Sequence, residues 1–77
     1  MTDDATSAGW VVQVTAPNGG EPPVFAFYNV AVRDYDQAVE LVRMRLGVPI
    51  ARVSIVRPLT AGELANAKVK NGEVKPA

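Results

Sequence analysis

Three groups of residues in this chain have types and spacings that suggest chemistry. The first is the carboxylate pair Asp34 and Asp36. Two neighbouring carboxylates can hold a divalent cation or divide into a general acid and a general base. Their spacing argues against both uses, because residues i and i+2 point to different sides of a helix. Capping a helix start accounts for them instead. The second group is the arginines Arg33, Arg43, Arg45, Arg52 and Arg57. A guanidinium grips phosphate or carboxylate through two parallel hydrogen bonds. Arg33, Arg52 and Arg57 are the candidates for an anion or RNA contact, although acids are interleaved with them. The third group is the hydroxyls Thr15, Tyr28 and Ser54. A hydroxyl nucleophile needs a base beside it. With histidine and cysteine both absent, only Lys68 or Lys70 remains to form a Ser–Lys pair, and no spacing supports one.

The missing residue types bound the function. Without histidine and cysteine, the usual zinc ligands and the commonest general base are gone. The expectation is therefore a non-enzyme with no catalytic, cofactor-binding or metal residues. The loop 18-NGGEPP-23 holds paired glycines but matches no phosphate-binding pattern, and it precedes a strand rather than a helix. Eight acids balance eight bases, for a formal net charge of zero. That balance argues against a general nucleic-acid binder and removes long-range steering as a source of affinity. The start, MTDDATSAG, has neither a basic region nor an apolar run, and no window approaches the ~20 apolar residues of a membrane span. A cytoplasmic protein with no membrane attachment is expected.

Any site must be positioned by few elements, since 77 residues make one domain at most. Residues 1–8 read as a mobile N-terminal tail, 9–69 as a single α+β domain and 70–77 as a frayed C-terminal tail. In 10-WVVQVT-15, Trp10, Val12 and Val14 share one face of a strand. The loop 16-APNGGEPP-23 is long for a tight hairpin, with Asn18-Gly19 as its turn signal. The second strand, Val24 to Val32, is apolar on both faces. One carries Val24, Ala26, Tyr28, Val30 and Val32, the other Phe25, Phe27, Asn29 and Ala31. General burial preference places Phe25 and Phe27 in the core.

A helix follows, opened by Asp34 with Gln37 as a capping-box partner. Tyr35, Ala38, Val39, Val42 and Leu46 form its apolar stripe, and Gly47 with Pro49 stops it. The third strand is 51-ARVSIVR-57, closed by Pro58. Thr60 and Glu63 then form a second capping-box pattern before a short helix to about Ala67. Asn71-Gly72 marks a turn between Val69 and Val74.

The expected object is a β-β-α-β chain with a short C-terminal helix. Its three-stranded mixed sheet packs on one main helix, with the second and third strands parallel. The order is similar to half of a ferredoxin-like arrangement, which carries no functional implication. Such a sheet leaves apolar surface over. Phe25, Phe27 and Met44 are the candidate interface residues, and the expected role is a small non-enzymatic binding or assembly module acting through protein–protein contact. Its partner is a second copy, giving a homodimer, or another protein. The alternatives are a weak RNA- or anion-binding domain using Arg33, Arg52 and Arg57, and a small-ligand regulatory domain.

Overall fold

The computed structural model of the chain describes residues 7–77. Strands β1 (Ser7–Asn18) and β2 (Glu21–Val30) form a hairpin. Helix α1 (Tyr35–Leu46) follows, then a single 3-10 turn at Ile50–Arg52. Strand β3 (Val53–Thr60), helix α2 (Ala61–Asn66) and strand β4 (Val74–Pro76) complete the chain. The strands make one antiparallel sheet in the order β3-β1-β2-β4.

The α+β class is as expected, but two parts of the expected architecture are corrected. The sheet has four antiparallel strands, not three mixed ones, and it carries two helices. β2 and β3 do run in the same direction, since each opposes β1. They are not neighbours, because β1 lies between them and α1 crosses over it. The physical reason is in β1 itself. It spans 12 residues and pairs along both edges, with β2 on one side and β3 on the other, so its backbone polar groups are satisfied on both sides.

The eight-residue loop is also corrected, because both strands run through most of it and the turn is Gly19-Gly20 alone. Their φ angles are 52° and 91°, and a two-residue hairpin of this kind needs positive φ at both positions. Pro22 and Pro23 fit within β2 because β4 pairs only with Tyr28, Asn29 and Val30, leaving the start of that edge unpaired. Pro58, expected to close the third strand, sits inside β3, which is the edge strand on the other side. The expected N-terminal tail falls mostly outside the described residues, and Ser7 and Ala8 belong to β1. The stretch 70–77, expected as a tail, contains β4, which lies against β2. The backbone N–H of Gly72 donates to Ala31 O at 2.8 Å, and that of Ala77 to Phe27 O at 2.8 Å.

Helix α1 ends as its sequence predicts. Asp34 Oδ1 accepts from the Asp36 N–H at 3.0 Å, and Gly47 adopts the left-handed conformation at φ 67°. The reciprocal capping bond expected from Gln37 is not made among the described residues. At α2 the box closes in full: Thr60 Oγ1 accepts from Glu63 N–H, and Glu63 Oε1 accepts from Thr60 N–H.

Two cores result, one on each face of the sheet. Ala38 and Val42 of α1 pack on Val12, Val14 and Val30, with Trp10, Tyr28, Val53 and Ile55 around them. Trp10 also stacks edge-on against Tyr35, with ring centroids 5.9 Å apart. On the opposite face, Leu64 of α2 and Val69 pack on Val11, Ala31 and Leu59. Gly9 makes this second core possible. A Cβ there would stand 2.2 Å from Val30 O and 3.0 Å from Leu64 Cδ1, so only glycine lets the strands and α2 approach this closely.

Candidate functional site: the bare half of the sheet

The α2 face of the sheet is covered only at one end. Alternation along β2 puts Phe25, Phe27 and Asn29 on the same face as Ala31. Ala31 lies under α2, whereas Phe27 and Phe25 run out beyond it, 44% and 53% exposed. Their expected place in the core is thereby corrected. Neither helix reaches them, so among the described residues no layer covers that stretch. Val56, 48% exposed, is the extra residue where the β1–β3 register shifts between Val11 and Val12.

Between α2 and this bare stretch lies an open groove of about 650 Å³. Val11, Leu59 and Phe27 make its apolar floor, and Arg57, Glu63, Asn29 and Asn66 line it with polar groups. β3 supplies Arg57, which pairs in register with Val11. The first turn of α2 supplies Glu63. Arg57 Nη1 donates to Glu63 Oε2 at 3.2 Å, to Glu63 Oε1 at 3.4 Å and to Pro58 O at 3.1 Å. The Thr60 backbone N–H holds the Glu63 carboxyl below the usual carboxylate range, helped by the charge of Arg57. The carboxylate is therefore charged and already engaged at neutral pH, the opposite of what a proton donor requires.

The structure separates the other candidate residues. Arg52 precedes the start of β3, which pairs with the Val14 level of β1, while Arg57 lies at the Val11 level. Arg33 follows the far end of β2, where its carbonyl accepts from Trp10 Nε1 at 2.9 Å. Of the three, only Arg57 lines the groove. Met44 is 69% exposed on α1. That helix packs inward through Ala38 and Val42, so Met44 faces away from the sheet and cannot share a surface with Phe25 and Phe27. Among the described residues, no group of three or more Asp or Glu side chains comes together to hold a metal ion. Nor is any helix among them long and apolar enough to cross a membrane.

Sequence reasoning missed the partnership of Arg57 with Glu63 and the groove positions of Asn29 and Asn66. Asn29 was accessible from the period-2 alternation with Phe27. The Arg57–Glu63 pair depends on how α2 folds back over β3, and no local signal marks it. No family model, curated protein or solved structure matches this chain.

Proposed function

We propose that this chain is a small non-enzymatic binding module that works through protein–protein contact at the bare half of its sheet. One observation supports the reading. Phe25 and Phe27 stand on one face of β2, both exposed, and adjacent exposed aromatics mark contact surfaces more often than solvated ones. The edges of the sheet favour contact by side chains over strand addition. Pro22 and Pro23 lie on the unpaired edge of β2, and Pro58 on β3. Proline donates no ladder hydrogen bond, so both edges resist an added strand. The partner is a second copy of the chain or a segment of another protein, and the test below tells them apart.

The test places photoreactive p-benzoylphenylalanine at Phe27 in the producing cells, with the same probe at Met44 as control. Discrete protein adducts at position 27 and none at 44 are expected. A band at twice the chain mass identifies self-assembly, and a different protein mass identifies a foreign partner. Adducts only to nucleic acid, or equal labelling at both positions, would sink the reading. The same phenylalanines with Arg57 keep a second reading in play, a weak RNA binder whose bases stack on the rings. Titration with single-stranded RNA at low salt tests it, and unshifted Arg57 and Phe27 resonances would remove it.

A further inference from the structure

We infer that the bare face takes an extended, acid-bearing apolar segment of another protein, with the segment's carboxylate on the free edge of Arg57 and its apolar side chains on Phe27 and Phe25. This rests on the protein-contact reading above and names its occupant.

The guanidinium carries the first argument. Nη1 of Arg57 is engaged by Glu63 and by Pro58 O. Among the described residues nothing bonds Nε or Nη2. Those two nitrogens form a flat edge with two parallel N–H groups, the shape that holds one carboxylate in a bidentate pair. Anchoring at Nη1 already restrains the side chain, so less rotamer freedom is lost when the second edge is filled.

Charge counting selects the ligand class. Among the described residues, Arg57 is the only cationic side chain lining the groove, and Glu63 beside it is anionic. A nucleic-acid strand would bring a phosphate with every nucleotide, and phosphate contacts supply most of such affinity. Here several phosphates would meet one free guanidinium edge next to a carboxylate. A peptide segment brings a single carboxylate, which that edge satisfies.

Dimensions separate a segment from a second copy. Arg57 lies opposite Val11, and Phe25 opposite Thr15. Four residues of strand span about 13 Å, the length of four extended peptide residues, and three strands span about 14 Å in width. The bare area is therefore on the order of 200 Å² in plan. Even doubled for side-chain relief, it falls well short of the roughly 800 Å² per partner of a stable protein interface. A short segment fits the face, and a permanent dimer needs more surface than it offers.

The experiment uses the intact chain and acetylated, amidated tetrapeptides in which one Asp is moved through a Val/Phe background, each paired with its Asn counterpart. Binding is read by NMR at the Arg57 Nε–H and at the backbone amides of Phe25 and Phe27. At least one Asp peptide should shift all three, with its Asn counterpart about tenfold weaker, as loss of a charge-assisted pair implies. Arg57→Gln, which removes both the charge and the two parallel N–H groups, should erase the Asp-over-Asn preference while the chain keeps its NMR dispersion. The inference is overturned if no Asp peptide moves the Arg57 Nε–H, or if Asp and Asn peptides bind alike. It is also overturned if dilution alone moves these resonances, or if an RNA hexamer binds more tightly than every peptide. Failure here together with a foreign protein adduct at position 27 would remove the carboxylate assignment and leave the protein-contact reading standing.

Discussion

The two faces of the sheet both carry apolar side chains and meet different fates. On one, the 12 residues of α1 lie along the strands; on the other, the 6 residues of α2 reach only one end. At 1.5 Å per residue those helices are about 18 Å and 9 Å long. The longer one covers its face well enough that Val12, Val30 and Val42 have no exposed surface. The shorter one buries Val11, Leu59 and Ala31 and leaves Phe27 and Phe25 in solvent. Helix length thus decides which apolar residues become core and which become surface. On one and the same face, Ala31 is core while Phe27 and Phe25 stand exposed.

Substitutions should rank by this difference in cover. The largest effect belongs to Val42→Asp under α1. It places an unpaired charge where the native side chain is fully buried, at a cost beyond what a domain of this size can absorb. The expected outcome is an unfolded chain by NMR dispersion; a native-like spectrum would mean α1 does not hold that core. Leu64→Ala under α2 comes next. Leu64 is 6% exposed, and such truncations cost about 2 kcal/mol or more. Chemical denaturation should show a lower midpoint with the fold retained. A loss as complete as that of Val42→Asp would make the two cores equal and break the comparison.

Thr60→Ala should be smaller, about 1 kcal/mol, by removing one arm of the α2 capping box. Glu63 adds a pH signature. Its carboxyl is held below the ordinary range in the fold by the Thr60 N–H, so its contribution is present above the unfolded pKa. That contribution is lost as pH falls through the folded pKa. Acid titration of the wild type should shift the Thr60 and Glu63 amide resonances as the Glu63 carboxyl takes up its proton. Unmoved resonances there would mean that the carboxylate does not hold the Thr60 N–H.

How much of this was legible depended on the range of each cause. The span of α1, its Asp34 cap, the left-handed Gly47 and the Thr60–Glu63 box all follow from residues within one or two turns of each other, and each appears in the structure, whereas the Gln37 bond does not. The sheet order did not, because β1 pairs with β3 across some 40 intervening residues and alternation alone does not say which strand sits inside. Gly9 was silent for the same reason, since its need for a missing Cβ arises from Val30 and Leu64, distant in sequence. At the candidate site, period-2 alternation correctly put Phe25, Phe27 and Asn29 on one face. It could not say that α2 is too short to cover them, so general burial preference gave the wrong environment.

The smallest effect on stability belongs to Phe27→Ser, and it decides most about function. With 44% of its surface in solvent and no helix above it, Phe27 gives up little burial when truncated. The expected change is within about 1 kcal/mol, mostly strand preference. Removing a solvent-exposed ring should instead raise solubility if nothing normally covers it. A Phe27→Ser chain that melts like wild type yet loses its photo-cross-link from a probe at Phe25 would show that the ring serves contact rather than folding. A loss of several kcal/mol would place Phe27 within a closed core, and the difference between the two faces would disappear.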